Sequence, residues 1–250
     1  MADPTATLSL LSRSDGSASY NCPATGVQIL GSVTGPVELP GRRDAQRPED
    51  ATLEVLIKPG TAQSAIGERY AEGILRTLLS RVVLGREKGF PRRGVVITLL
   101  ILGGSGSSRV SRGESYIPIL PALLHTALLS LLSAAVPMSM TFTSVAIAVT
   151  NANEIISSPS SNDCKTAKSL HALVFSSKGH LLLNESQGSF DFDTWELVYE
   201  RAYSICSGAK VALGENGDVP MDGEQNLESV VREVVEDKIY KEYSWAIDAV

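Results

Sequence analysis

An α+β fold, with mixed sheets packed on central helices, is what the order of sequence elements predicts. Three observations carry that prediction. Short β-branched segments separated by turn residues fill residues 7–58. Two long apolar stretches follow, one of helical spacing between Ser64 and Val83 and one without charge from Ile117 to Val136. The later strands come in antiparallel pairs and do not alternate one by one with helices, so a dinucleotide-binding arrangement is excluded.

The 250 residues are 43% hydrophobic and 20% charged, which excludes global disorder, a collagen-like chain and a coiled-coil rod. The net charge of −6 hides an asymmetry. Residues 1–120 hold 14 basic and 11 acidic side chains, and residues 121–250 hold 8 and 17. Any basic surface for nucleic acid must therefore come from the first half. Cys22, Cys164 and Cys206 are too scattered for a disulfide framework or zinc site and read as reduced thiols of an intracellular protein. The N-terminal Met-Ala-Asp-Pro has neither a basic nor an apolar leader region, so secretion is not expected.

Ser17 to Cys22 and Val27 to Val33 read as strands around the turn Pro23–Gly26, the second ending at Thr34-Gly35-Pro36. Leu39 to Asp50, with Arg42, Arg43 and Arg47, is a loop, and Thr52 to Ile57 resumes strand character up to Pro59-Gly60. Ile66, Tyr70, Ile74, Leu75, Leu78, Leu79 and Val82 give the first helix a buried stripe. Gly94 to Leu102 is a continuous apolar run, expected to be a strand buried on both faces. Gly103 to Gly113 is a Gly/Ser loop. The stretch from Ile117 to Val136 has the length of a bilayer span, but Pro118, Pro121, His125, Ser130 and Ser133 dilute it. It reads as a helix buried between layers, with no membrane partner. Thr141 to Thr150 alternates as a strand, Asn151 to Lys165 is a polar loop, and Leu170–Phe175 with His180–Leu183 is a hairpin whose turn places Gly179 at positive φ. Asp193-Thr-Trp-Glu196 is a capping box opening a helix to about Leu213, and Asp222-Gly-Glu-Gln225 repeats it before a last helix over 223–250.

Few residues carry chemistry. Gly103-Gly-Ser-Gly-Ser-Ser108 follows a strand but lacks the lysine and spacing of a phosphate loop. Asp191 and Asp193 could hold magnesium, yet capping already accounts for Asp193. His125 reads as a satisfied core residue, and His171 and His180 as solvent-exposed; none has metal spacing. No serine or cysteine sits in a nucleophile motif. The arginines point to phosphate contacts: Arg76 shares a helix face with Arg69, Arg92 and Arg93 sit in a turn, and Arg109 and Arg112 flank the Gly/Ser loop.

The segments Asp15–Ala18, Leu30–Glu38, Glu72–Arg76, Ser133–Met138 and Glu185–Phe190, in that order, make the chain resemble the RNase PH-like ring subunits of the eukaryotic RNA exosome. The resemblance implies the RNase PH-like fold (ribosomal protein S5 domain 2-like) over 1–250 as one domain. It implies a place in a six-membered ring with other RNase PH-like exosome subunits, S1/KH cap proteins on one face, and RNA through the central channel. The setting it implies is nucleus, nucleolus and cytoplasm, and the activity of the family is phosphorolysis of RNA from the 3′ end.

Departures from the family pattern decide the expected role. Where active members hold phosphate with a Gly-Thr-Arg turn, this chain has Pro118 and Leu120. Where they carry two aspartates six apart, as general acid and metal ligand, it has Asp163 and Ser169. A substrate-binding arginine pair is reduced to Arg76, with Leu79 in the other place. Without those charges, several kcal/mol of transition-state stabilisation go, a rate loss of about a thousandfold or more. The expectation is a non-catalytic structural subunit supporting 3′-to-5′ RNA processing and decay, rRNA maturation included, with no cofactor and no resident metal. The rival expectation is a weakly active, metal-assisted 3′ exoribonuclease using Asp163.

Overall fold

The structure, a computed structural model, describes residues 4–38, 49–60, 64–102, 115–207 and 227–247. Four layers stack in the order sheet, helices, sheet, helix. The first sheet has the strand order β1-β2-β3-β5-β4, built from β1 (Thr5–Leu8), β2 (Gly16–Cys22), β3 (Val27–Val37), β4 (Thr52–Pro59) and β5 (Gly94–Leu102). All its neighbours are antiparallel except β4 and β5, which run parallel because α1 (Ile66–Val82) crosses between them. The second sheet, β7-β6-β8-β9, is antiparallel throughout: β6 (Phe142–Val149), β7 (Ile155–Ser157), β8 (Ser169–Ser176) and β9 (Leu181–Gly188).

Between the sheets lies α2 (Leu120–Ser133), apolar all round and buried along nearly its whole length. Its two innermost hydroxyls are satisfied within the helix: Thr126 Oγ1 donates to Ala122 O at 2.7 Å and Ser130 Oγ to Thr126 O at 2.7 Å. The helix presses on β2 and β3 where those strands have no side chain. A Cβ on Gly31 would stand 2.3 Å from Ser130 Oγ, and one on Gly16 would stand 2.4 Å from Ala134 N. His125 ties both sheets to the helix. Ser144 N on β6 donates to its Nε2 at 3.1 Å, so the ring proton sits on Nδ1, 3.1 Å from the Tyr20 hydroxyl of β2.

On the far face of the second sheet, Val198, Ala202 and Cys206 of α4 (Phe192–Ser207) pack against Val145, Ile147, Val149, Leu173 and Phe175. A short α3 (Ser161–Thr166) precedes β8. The last helix, α5 (Leu227–Ile247), lays Val231, Val234 and Val235 on the main core and Leu227 on the α4 core. Lys238 of α5 donates to Ser133 O at 3.0 Å and Ser133 Oγ at 3.2 Å, closing the C-terminus of α2.

Several sequence expectations need correction. The strand buried on both faces is β6, not β5. In β5 buried and half-buried residues alternate, because only one face of the first sheet meets helices, whereas β6 lies between α2 and α4. Its Ser144, Ala146 and Ala148 are small because α2 packs there. The second strand does not stop at Thr34: β3 runs to Val37 across a bulge at Thr34/Val37. Asn151–Lys165 is no plain loop, since it holds β7 and α3. In α1 the buried stripe runs through Glu68, Ala71 and Glu72, while Ile66 is 88% and Tyr70 59% exposed. Asp193 lies inside the first turn of α4, two residues past the cap position, which Asp191 occupies. The expected loops Leu39–Asp50 (save its last two residues) and Gly103–Gly113, the helix end near Leu213 and the second capping box at Asp222 fall outside the described residues.

Candidate functional site

Two buried glutamates place the elements around the principal groove. Glu72 accepts from Ile57 N of β4 at 2.9 Å, and Arg69 reaches its other oxygen at 3.3 Å. One turn earlier, Glu68 accepts from Ala65 N at 2.7 Å, the half of a capping box that remains when the cap residue is alanine. It also accepts from the Tyr116 hydroxyl at 2.6 Å. Burial works to raise the Glu68 carboxyl, but these hydrogen bonds outweigh it and hold the group below its ordinary range. Burial and the same carboxylate push the Tyr116 phenol up. Gly67 lets an edge of the Tyr116 ring approach α1 closely, since a Cβ there would stand 2.6 Å from ring carbon Cε2.

Above this brace lies a groove of about 420 Å³, walled by Ile66, Tyr70 and Ile74 of α1, by Tyr116 and Leu120, and by Glu185 of β9. Tyr70, Ile74 and Glu185 are shared with a second groove of about 480 Å³, where Arg69, Thr77 and Arg81 form the α1 wall. The Tyr70 hydroxyl donates to Glu185 across the divide at 3.0 Å, which raises the Tyr70 pKa. Among the described residues, the lining of the first groove is mainly apolar, and its only charge is the Glu185 carboxylate.

The N-terminus of α2 opens onto this groove, and its anion-binding capacity is largely spent. A helix start holds phosphate through amides with no helical partner. Here Ile119 N and Leu120 N donate to Tyr116 O at 3.1 and 2.9 Å and Pro121 has no N–H, which leaves the amide of Ala122. Among the described residues, no side chain caps the helix, and no basic side chain stands in the turn before it. The arrangement can hold an apolar or aromatic group; for an inorganic phosphate it offers little.

The residues singled out from sequence do not converge. Of those that are described, Leu120 alone lines the groove. Leu79 is fully buried on the core side of α1, so its position faces away from solvent, whereas Arg76 is exposed. Arg92 and Arg93 are exposed in the turn leading into β5, beyond the opposite end of α1. Arg109 and Arg112 lie outside the described residues. The Asp163 carboxylate caps its own short helix, accepting from Ser160 N at 3.0 Å and Ser160 Oγ at 2.7 Å, which lowers its pKa. Ser169 is buried on the face of β8 that carries Leu173 and Phe175, away from α2, because side chains alternate along a strand. Its hydroxyl lies 2.9 Å from His171 Nε2, and His171 Nδ1 lies 2.9 Å from Ser186 Oγ, which in turn donates to Asn184 Oδ1. His171 is therefore fully buried, not solvent-exposed as the sequence suggested, and burial lowers its pKa.

Sequence reasoning missed Glu68, Tyr116, Tyr70 and Glu185. The spacing of Glu68 after a would-be cap was a usable signal. The pairings with Tyr116 and Glu185 join residues 48 and 115 positions apart and left none. Among the described residues, no group of three or more His, Cys, Asp or Glu side chains could hold a metal ion. No described helix is long and apolar enough to cross a membrane.

No protein-family model matches the chain. It is 26% identical over 223 residues to the exosome complex component RRP46 of Saccharomyces cerevisiae, covering 84% of this chain and 95% of the yeast protein. It is 28% identical over 166 residues to the exosome complex exonuclease RRP46 homolog of Oryza sativa subsp. japonica, covering 66% and 62%. The crystal structure of rice Rrp46 superposes with a TM-score of 0.68 at 25% identity, over 80% of this chain and 87% of that one. The Archaeoglobus fulgidus exosome with RNA bound to the active site shares the fold, with a TM-score of 0.62 at 13% identity over 81% and 84% of the two chains.

Proposed function

We propose that this chain, Rrp46-like in sequence and RNase PH-like in fold, serves as a non-catalytic structural subunit of an RNA exosome ring. It supports 3′-to-5′ RNA processing and decay, rRNA maturation included, without phosphorolysing RNA itself. One observation carries the inactivity: at the start of α2, Leu120 and Pro121 stand where a phosphate would need a guanidinium and free amides, and the facing charge is Glu185. A carboxylate beside an anion raises the barrier that oriented positive charge would lower. Asp163, the one carboxylate of the rival nuclease reading, is held by Ser160, and Ser169 faces the other side of its sheet.

The partners of this reading are other RNase PH-like exosome subunits in a six-membered ring, S1/KH cap proteins and RNA in the central channel, in nucleus, nucleolus and cytoplasm. The chain acts as one domain over 1–250. Arg76, Arg92 and Arg93, all exposed, with Arg109 and Arg112, are the candidate RNA contacts. They would grip the phosphate backbone independently of sequence. The test is direct. The isolated full-length chain, given single-stranded RNA and orthophosphate, should release no nucleoside diphosphates, and in cell extract it should co-purify with RNase PH-like partners. Phosphate-dependent diphosphate release would overturn the inactivity, and a chain recovered free of such partners would overturn the ring assignment.

A further inference from the structure

One flank of α4, between its core face and water, carries a row of aromatic rings. Phe192, Trp195, Tyr199 and Tyr203 fall three or four residues apart, so their rings line one edge of the helix. Successive ring centroids are 6.1, 5.6 and 6.4 Å apart, and the last two rings are within 9° of parallel. Phe175 of β8 anchors the inner end, meeting Tyr199 and Tyr203 edge-on at 5.4 Å each. The other end runs into water, where Phe192 is 72% exposed. The outer rings add little to seating α4, because Val198, Ala202 and Cys206 already do that.

Beside the rings runs a row of carboxylates. At 100° per residue, Glu196 and Glu200 project next to the ring edge on its solvent side, with Asp193 beyond them. Like charges four residues apart repel. Among the described residues, none of the three has an ion-pair partner. Aromatic faces attract cations, and carboxylates at the same edge add to that field. They also repel phosphate, so rings that could stack nucleobases elsewhere are shielded from RNA here.

We propose that this ring ladder and its acidic flank form a docking surface for an extended, arginine- or lysine-bearing segment of a partner protein. Guanidinium planes lie over Trp195 and Tyr199 while their charges pair with Glu196 and Glu200. Trp195 supplies its own readout once the exposed Trp245 is replaced by phenylalanine. In that background, a short peptide of alternating Arg and Ser should shift Trp195 emission saturably, and binding should weaken as salt rises. Replacing Glu196→Gln together with Glu200→Gln should weaken binding about tenfold, and so should Phe192→Ser, with far-ultraviolet circular dichroism unchanged. No saturable shift, an affinity unmoved by the paired glutamine substitutions, or an equal shift with single-stranded RNA in place of the peptide would each overturn the assignment.

Discussion

His125 is the residue on which pH should act most strongly. Complete burial holds its pKa at about 4, against 6.5 for an unburied imidazole. The native state therefore favours the neutral ring, and its contribution is fully present above pH 6.5. It is lost as pH falls through that value toward about 4, because the unfolded chain takes up the proton first. The loss amounts to roughly 3 kcal/mol. Urea unfolding at a series of pH values should show that decline, and His125→Gln should flatten it; an unchanged slope in the variant would place the titration elsewhere. Gly31 gives a steric counterpart. Gly31→Ala drives a methyl into Ser130 Oγ and should cost about 2 to 3 kcal/mol in the same measurement, since helix and strand must both move. At this scale the sequence was half legible. A lone histidine in an apolar helix reads as a core residue. The burial of His171, between Ser169 and Ser186, depends on strand pairing that no local pattern announces.

Elements were easier to find than to orient. The apolar run of β5 suggested two covered faces and the alternation of β6 suggested one; the reverse holds, because helix layers decide burial and composition follows their spacing. The region of α3 read as loop because six residues carry too little periodicity, although Ser160 and Asp163 stand at capping-box spacing. Ser160→Ala should remove the two bonds of its hydroxyl, to Asp163 Oδ2 and from Asp163 N, while keeping that from Ser160 N, and destabilise by about 1 kcal/mol, seen as faster amide exchange confined to residues 161–166. Faster exchange spread over the whole second sheet would mean that the cap supports more than its own helix. For α5, Lys238 is the fastening point at the negative end of α2. Lys238→Met keeps the aliphatic stem but loses the bonds to Ser133, at a cost of about 1 kcal/mol. Limited proteolysis should then cut within α5 before any other described helix, and a digestion pattern like that of the parent chain would refute the tie.

At the scale of the whole molecule, the α+β class and the central buried helix followed from hydrophobic patterning alone, because 20 uncharged residues with two prolines and a histidine have few other destinations. The groove did not follow from it, since its walls come from α1, the start of α2 and β9, and only the fold brings them together. Charge makes its own prediction here. If Arg76, Arg92 and Arg93 touch RNA, replacing all three by alanine should reduce crosslinking of the assembled complex to unrelated RNA sequences alike and flatten its salt dependence. A loss restricted to one sequence would contradict backbone contact. The glycine-lined seat of α2, with its histidine joined to a strand on either side, has a consequence for opening motions. Neither sheet can detach while that helix stays wound, so the amides of residues 123–131 should exchange deuterium only through global unfolding, at one common rate and after every other protected segment.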